Sequence, residues 1–393
     1  MFEVKGSVST AKVFTDYVEP TALSQIIELC NQEFTEGSKI RIMPDVHAGA
    51  GCVIGTTMTI ENKKIVPNLV GVDIGCGLTS ARYGGYELGF LQEYEKEEGV
   101  WVNDFLKEFD RLIRANIPMG TNVCEKLMYH PFRTRIKELI CAKNVNIERG
   151  YHSIGTLGGG NHFIEVGCDI FSENKGPIGE LRRDFYITVH SGSRGIGKEV
   201  ATYYQKIAEE QCKGVPKHLA YLSGQAFEDY IHDMQIMQEY ASINRDCIIE
   251  KVTMDCALIA PFPDSYEETI HNYVEIGEKI ILRKGAISAK KDEKVMIPLN
   301  MRDGIIIGKG KGLEDWNESA PHGAGRVLSR GQAKRQLSVD IFKDQMEGIY
   351  STCINDSTLD ESPSAYKSSD EICNHLDSVE IVGRTKPIYN IKA

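Results

Sequence analysis

Long apolar runs are missing from this 393-residue chain. The first twenty residues, MFEVKGSVSTAKVFTDYVEP, contain no apolar stretch of the length that a secretory signal requires. No uncharged apolar segment anywhere is long enough to span a bilayer. We therefore expect a cytoplasmic protein that has no membrane partner.

A positive charge balance is also missing, since the formal net charge at pH 7 is −11. A broad nucleic-acid surface is normally basic, so the composition disfavours one. The charge does not exclude a local basic groove, because basic residues are grouped in two places. One group is Arg182, Arg183 and Arg194, and the other is Arg326, Arg330, Lys334 and Arg335. Acidic residues gathered around metal ions would also make the total charge more negative.

The sequence lacks a disulfide framework, internal repeats, heptads and low-complexity segments. Its 11 cysteines are scattered, and a chain of this size forms a sufficient core without covalent cross-links. We expect most of them to be reduced and buried. Cys76 is the exception because of its neighbours.

Glycine, by contrast, is concentrated in five short segments that also carry reactive side chains. Four of the segments contain a histidine, and the fifth contains Asp73 and Cys76. The segments are HAGAGCVIG (47–55), VDIGCG (72–77), GTLGGGNHF (155–163), HSGSRGIG (190–197) and PHGAGR (321–326). This co-occurrence predicts a site assembled from glycine loops.

The segments between these loops predict interleaved strands and helices. DFYITV (184–189) is typical of a buried strand that ends at His190, and Ser329 with Gln332 has the spacing of a helix capping box. Helices are predicted over 198–213 and 224–254, and strands over 294–299 and 304–310. We expect an α/β fold, mixed α+β, with no clear domain break. The alternative is a helical insertion around residues 85–150.

Asp73 and Cys76 lie three residues apart among glycines that let the backbone turn tightly. Carboxylate, thiolate and imidazole together suit a borderline cation such as Mn²⁺ or Zn²⁺ better than Mg²⁺. A thiolate is also able to bridge two cations. The alternative interpretation is a tight turn with a buried cysteine and a capping aspartate.

The histidines divide into candidates and structural residues. His162 precedes a predicted strand and His190 follows one, and the glycine loop beside each favours a ligand role without deciding it. His271, in TIHNYVEI, lies in a helical-looking stretch, and this pattern favours a structural role. Asp45 is placed to orient His47. A structural role is expected for His130, His152, His218, His232 and His375.

The motifs DIGCG, GTLGGGNHFIEV, HSGSRG and PHGAGRVLSR occur in this order, and with them the sequence resembles the RtcB family of RNA ligases. The resemblance runs from MPDVHAG to the final YNIKA. It implies one catalytic domain over 1–393, in which mixed sheets surrounded by helices enclose a central metal and nucleotide cleft. The implied activity requires GTP and Mn²⁺. It joins RNA 2′,3′-cyclic phosphate or 3′-phosphate ends to 5′-hydroxyl ends, in RNA repair or tRNA splicing.

The resemblance also implies roles for individual residues. Two Mn²⁺ ions would share Cys76, with Asp73 and His162 completing one ligand set and His190 and His271 the other. His322 would accept GMP from GTP, and Asp45 matches an aspartate linked to the RNA-joining steps. Nucleotide contacts are implied for Asn161, Glu165, Gly323, Ala324, Gly325, Arg326, Tyr366 and Lys392. Arg194 is predicted to clamp an RNA phosphate, or else to be a surface cation beside a helix start.

One segment departs from the family pattern. The family usually has PGSMG where this chain has PLNMRDG, residues 298–304. Asn300 is expected to supply a hydrogen bond in place of a serine, and Arg302 to reshape the pocket or reach a phosphate. The departure favours a divergent bacterial paralogue serving RNA repair. Rival interpretations are a metal-dependent cyclic phosphodiesterase without nucleotidylation and a non-catalytic binding paralogue. An archease-type activator is a further candidate partner.

Overall fold

The computed structural model describes residues 1–84, 100–127, 131–170, 174–175, 181–182, 184–254 and 263–392. Within these ranges strands and helices interleave along the chain, and two large sheets carry the fold. The mixed α/β prediction is confirmed. Among the described residues, no helix combines the length and the apolarity that crossing a bilayer requires. Ten cysteines are described, and eight of these are buried.

The strands of the described residues are numbered in chain order. They are β1 (Phe2–Lys5), β2 (Thr10–Val13), β3 (Ile40–His47), β4 (Ile54–Thr59), β5 (Gly77–Tyr83), β6 (Phe163–Asp169), β7 (Asn174–Lys175), β8 (Leu181–Arg182), β9 (Phe185–Ser191), β10 (Ser265–Ile270), β11 (Asn272–Glu275), β12 (Ile281–Lys284), β13 (Ala286–Ser288), β14 (Lys294–Pro298), β15 (Ile305–Gly310), β16 (Ser319–Pro321) and β17 (Val379–Lys392). One sheet has the order β1-β2-β3-β4-β12-β11 and the other β10-β5-β9-β6-β17-β15-β14. Two-stranded pairs form between β13 and β16 and between β7 and β8.

Nine α-helices fall within the described ranges. They are α1 (Pro20–Cys30), α2 (Pro67–Val70), α3 (Val100–Asn116), α4 (Ile147–Ser153), α5 (Arg194–Gln211), α6 (Gln225–Met254), α7 (Arg330–Gln336), α8 (Val339–Gln345) and α9 (Ser369–Cys373). The predicted capping box is present at the start of α7.

Helix α6 is shared by the two largest hydrophobic cores. Its first half, including Tyr230 and Met237, packs in the core beneath the six-stranded sheet. Its last turns, including Ile248 and Val252, pack in the core of the seven-stranded sheet together with α3. A helix that is apolar on more than one side is typical of a buried element. Helix α6 therefore contributes side chains to the cores of both sheets.

The register of the seven-stranded sheet gathers strand ends at one edge. His190, near the end of β9, pairs with Leu78 on one side and with Phe163 on the other. Phe163 in turn pairs with Lys392 at the end of β17. Neighbouring strands are antiparallel, so the start of one lies beside the end of the next. The residues just before β5 therefore lie near the ends of β9 and β10, and those just before β6 lie near the ends of β9 and β17.

Most predicted elements are confirmed, and one expectation needs correction. His271 is not helical, because it lies between β10 and β11, where its amide donates to the Cys76 carbonyl at 2.9 Å. The helix predicted to begin at Ser329 is confirmed as α7, and Ser338 caps a separate helix, α8.

The predicted insertion around 85–150 contains α3, α4 and short 3-10 turns over 131–138 and 142–144 where it is described. Residues 85–99, including the EYEKEE run, lie outside the described residues. The division of the chain into one catalytic domain stays a prediction.

Candidate active site

A cleft of about 990 Å³ lies between the two sheets and brings most of the predicted site residues together. It is lined by Asp73, Cys76, Asn161, Glu165, His190, His271, Asn300, His322, Gly323, Ala324, Gly325, Arg326, Tyr366 and Lys392. His162 and Asp45 lie behind this lining and contact it through Cys76 and His322 respectively. The glycine loops therefore do assemble one site.

Two groups of metal-binding side chains meet at Cys76. In each group the candidate ligand atoms lie within 4.8 Å of one another, one group being Asp73, Cys76 and His162 and the other Cys76, His190 and His271. Cys76 Sγ is 3.5 Å from His162 Nε2 and 3.4 Å from His190 Nε2. His162 Nε2 is 3.0 Å from Asp73 Oδ2. The sequence resemblance implies this same division into two sets.

The backbone determines which imidazole nitrogen of each ligand is free. His162 Nδ1 contacts the Leu157 carbonyl at 2.9 Å, and His190 Nδ1 contacts the Asn161 carbonyl at 3.2 Å. A carbonyl oxygen only accepts, so both Nδ1 atoms carry a proton, and both Nε2 atoms face Cys76. His271 Nδ1 is buried and has no hydrogen-bond partner among the described residues. An orphaned buried nitrogen fits a metal ligand.

The ionisation of the group also fits a bound cation. Burial raises the pKa of Cys76 well above its usual value, and the negative charge of Asp73 adds to this. Burial lowers the pKa values of His190 and His271 well below the usual value, so both imidazoles are neutral. Carboxylate, thiol and neutral imidazole are the donor set of Mn²⁺ or Zn²⁺, and such an ion would deprotonate the thiol.

Asp73 has a second, structural role. Its Oδ1 accepts from the backbone amide of Ser193 at 2.9 Å, just before α5 begins. Burial raises the pKa of Asp73, but the His162 hydrogen bond and charge outweigh burial and lower it to about 2. A side chain at Gly192 would place its Cβ 2.3 Å from Asp73 Oδ1, so glycine is required there. Oδ1 of Asp73 therefore has the predicted capping role at the Ser193 amide, and Oδ2 lies beside His162 as a candidate metal ligand.

His322 follows β16 and is held by Asp45 of β3. Asp45 Oδ2 accepts from the His322 backbone amide at 3.0 Å and lies 2.5 Å from His322 Nδ1. Because the carboxylate holds a proton on Nδ1, Nε2 keeps its lone pair. Gly325 has a φ of +73°, and a Cβ there would lie 2.2 Å from the Asp45 carbonyl oxygen. The glycine turn allows the loop to approach β3 this closely. The ring of His322 lies 4.7 Å from that of His271.

The far end of the cleft is organised around Glu361, which sequence reasoning missed. Its carboxylate receives Lys392 Nζ at 2.6 Å, the Tyr366 hydroxyl at 2.6 Å, and the guanidinium groups of Arg326 at 3.2 Å and Arg330 at 3.0 Å. Burial raises the pKa of Glu361, but Lys392 and the two arginines together lower it to about 2. Glu361 lies in DESPSAY, which carries no motif, so no local pattern indicated it.

Glu165 stands apart from this ion-pair group. Asn390, its partner across β6 and β17, donates to Oε2 at 2.9 Å. Glu165 Oε1 is buried with no hydrogen-bond partner among the described residues. Burial raises the pKa of Glu165 to about 8. A polar atom left without a partner in a cleft is a site for a ligand donor.

The departing PLNMRDG segment forms a closed turn. Asn300 Oδ1 accepts from the backbone amides of Arg302 and Asp303 at 3.0 and 2.9 Å, and its Nδ2 donates to Asp303 Oδ2 at 2.8 Å. Arg302 pairs with Asp303 at 2.8 Å and is not among the cleft residues. Asn300 lines the cleft, but its amide is used within the turn.

The remaining predicted residues lie outside the cleft lining. The Arg194 guanidinium donates to Thr156 Oγ1 at 3.2 Å and to the Gly120 carbonyl at 3.0 Å. Its predicted role as an RNA clamp stays a prediction. Four of the histidines expected to be structural pair with acidic residues: His152 with Glu148, His218 with Glu28, His232 with Asp233, and His375 with Asp16. His130 and Arg183 lie outside the described residues.

The mixed α/β fold carries two candidate metal-ligand groups that share Cys76, beside a histidine on a glycine loop. Comparison with known proteins identifies the family. Residues 25–131 and 132–393 match the family described as "tRNA-splicing ligase RtcB". The chain belongs to the RtcB family.

Individual relatives agree. The RNA-splicing ligase RtcB of Escherichia coli K12 is 32% identical, with 95% of each chain covered. RNA-splicing ligase RtcB1 of a second Escherichia coli strain is 31% identical over the same shares. The tRNA-splicing ligase RtcB of Nanoarchaeum equitans is 27% identical, covering 89% of this chain and 87% of its own length.

Proposed function

We propose that this protein is an RNA ligase that uses GTP and Mn²⁺ to join a 2′,3′-cyclic phosphate or 3′-phosphate end to a 5′-hydroxyl end. The observation that carries the proposal is the pairing of His322 with Asp45 beside two ligand groups that share Cys76. A histidine held with a free Nε2 is a nucleophile, and it stands where cations would stabilise a phosphate.

The nucleotide would occupy the end of the cleft that contains Glu165 and Glu361. Guanine carries N–H donors on its Watson–Crick edge, which match the unpartnered Glu165 Oε1. Tyr366 and Lys392 are held beside it by Glu361, and Arg326 stacks on the Tyr366 ring at 4.8 Å. The glycine loop at residues 323–325 offers backbone amides to a phosphate.

The first chemical step follows from the His322 geometry. Nε2 attacks the α-phosphorus of GTP, a P–N bond forms, and the bond to pyrophosphate breaks. Asp45 holds the Nδ1 proton and stabilises the positive charge that develops on the ring. Asp73, Cys76, His162, His190 and His271 would hold two Mn²⁺ ions, which when bound supply positive charge to the phosphate oxygens.

The later steps transfer GMP from His322 to the RNA 3′-phosphate, and the 5′-hydroxyl then attacks that phosphorus and releases GMP. A 2′,3′-cyclic phosphate is first opened by water. The substrate class is therefore RNA from cleavage that leaves these ends, in repair or in tRNA splicing. An archease-type activator and a cytoplasmic location belong to the same proposal.

The deciding experiment supplies GTP, Mn²⁺ and an RNA with a 2′,3′-cyclic phosphate and a 5′-hydroxyl. We expect joined or circular RNA, and a radiolabelled GMP adduct on the protein that is absent from His322→Ala while its metal content is unchanged. Opening of the cyclic phosphate without GTP and without joining would favour the phosphodiesterase rival. Binding with no reaction would favour the non-catalytic one.

A further inference from the structure

One wall of the cleft is built from polar residues that the proposed function does not use. We call it the β3 wall, and it consists of Glu19, His47, Asn68, Asn272 and Lys284. Four of these side chains already bond to the chain. The bonds join Glu19 Oε1 to the Ala48 amide (2.8 Å), Asn68 Nδ2 to the His218 carbonyl (3.2 Å), Asn272 Oδ1 to the Gly285 amide (3.0 Å) and Lys284 Nζ to the Asn68 carbonyl (2.6 Å). These hydrogen bonds within the chain give the four side chains a structural role in the wall.

His47 differs from the other four. Its Nδ1 lies 2.9 Å from the backbone carbonyl of Asp45, so this nitrogen carries the proton. Its Nε2 has no hydrogen-bond partner among the described residues and keeps a lone pair. Asp45 does orient His47, through its backbone carbonyl, while its carboxylate binds His322. One residue thus anchors two imidazoles on the same cleft.

The charge state of His47 matches an accepting role. Burial lowers the pKa of His47 to about 4 and outweighs the hydrogen bond to the Asp45 carbonyl, which raises it. The ring is neutral at pH 7, so Nε2 accepts a hydrogen bond. The β3 wall and the residues proposed to bind the nucleotide line the same cleft, so the wall is available to the second RNA end.

We propose that His47 is a catalytic residue that binds the 5′-hydroxyl of the acceptor RNA and takes its proton in the joining step. This inference rests on the proposed function. The hydroxyl oxygen forms a bond to the RNA 3′-phosphorus, the bond from that phosphorus to the GMP oxygen breaks, and the hydroxyl proton moves to His47 Nε2. The imidazolium then releases this proton to solvent, and GMP leaves as the free nucleotide.

The test uses His47→Asn, because the asparagine Nδ2 is placed to keep the bond to the Asp45 carbonyl while the Nε2 acceptor is lost. Three rates are measured separately: formation of the GMP adduct, transfer of GMP to RNA, and joining of RNA that already carries the activated 3′ end. We expect the first two to stay within about twofold and the third to fall about 10²-fold, at the lower end for general-base catalysis. The matched control is His152→Asn, since His152 Nδ1 also contacts a carbonyl, that of Cys124, outside the cleft.

A second acceptor RNA separates proton transfer from positioning. An RNA with a 5′-thiol ionises far more readily than one with a 5′-hydroxyl and needs less help from a base. The variant should therefore join it at close to the wild-type rate. Three results would each overturn the role of His47 while leaving the proposed function intact. They are unchanged joining of the hydroxyl RNA, equal losses in all three rates, and equal losses with the hydroxyl and thiol acceptors. A wild-type protein that forms no GMP adduct would overturn the proposed function together with this inference.

Discussion

The two ends of the cleft achieve charge balance in opposite ways. At the end that contains Glu361, one buried carboxylate is surrounded by two arginines, a lysine and a tyrosine, and every charge has a partner. At the end that contains Cys76, buried imidazoles surround a buried thiol, and His271 Nδ1 has no hydrogen-bond partner among the described residues.

The difference shows what each end requires from its ligand. The Glu361 end is organised without a ligand, so a nucleotide bound there as proposed would meet fixed donors and its ordering would cost little. At the Cys76 end, neutral His190 and His271 and the Asp73 carboxylate surround a buried thiol. Under the proposed function, bound cations would complete this donor set. The four predictions below test this contrast, from the largest effect to the smallest.

Cys76→Ala should remove the shared ligand and with it at least one of two metal ions. Both ligand groups use Cys76, so we expect joining activity to fall below detection. Elemental analysis of the purified variant gives the stoichiometry. Cys247→Ala, which removes a buried thiol from α6, is the control and should retain the wild-type metal content. Unchanged metal content in Cys76→Ala would exclude the shared site.

Asp45→Asn should slow formation of the GMP adduct by about 10²- to 10⁴-fold, because an amide no longer holds the proton on His322 Nδ1. Metal content should stay at the wild-type value. Single-turnover labelling with radioactive GTP measures the rate. Asp315→Asn, at a surface carboxylate that pairs with Arg41, is the control and should react normally. A wild-type labelling rate in Asp45→Asn would contradict the role of the carboxylate.

Glu361→Gln should destabilise the protein by about 3–5 kcal/mol, because it leaves buried cations without their counter-charge. Urea denaturation measures the loss. We also expect a higher KM for GTP in adduct formation, with metal content unchanged. Glu371→Gln alters a half-exposed ion pair with Lys367 and should cost less than about 1 kcal/mol. Equal losses in the two variants would refute a special role for Glu361.

Glu165 should make the metal-free protein less stable as the pH rises. Burial raises its folded pKa from the ordinary 4.5 to about 8, so the folded state keeps a proton that the unfolded state releases within this window. Stability therefore falls between about pH 4.5 and 8, by at most about 1.4 kcal/mol per pH unit. In Glu165→Gln, the denaturation midpoint should change less with pH across this range than in the wild-type protein. The same slope in both proteins would place the effect elsewhere.

Sequence motifs identified the Cys76 end far better than the Glu361 end. Cys76, His162 and His190 sit in glycine segments at strand ends, where a short motif determines the local backbone. Asn390 and Glu361 sit in segments with no distinctive pattern and reach the cleft only through long-range pairing. His271 was wrongly placed in a helix because its apolar spacing fits two periods over so few residues.

The sequence by itself determined the side chains available to this protein, including its glycine turns, its candidate nucleophile and its candidate metal ligands, because these depend on residue type and near neighbours. Only the tertiary structure decided which of these side chains lie together and which imidazole nitrogens face the cleft. The register of five antiparallel strand ends brings residues 76, 162, 190, 271 and 392 together. The Asn161 carbonyl and the Asp45 carboxylate then hold Nδ1 of His190 and His322 from distant positions in the chain, and such long-range hydrogen bonds are not encoded in any local motif.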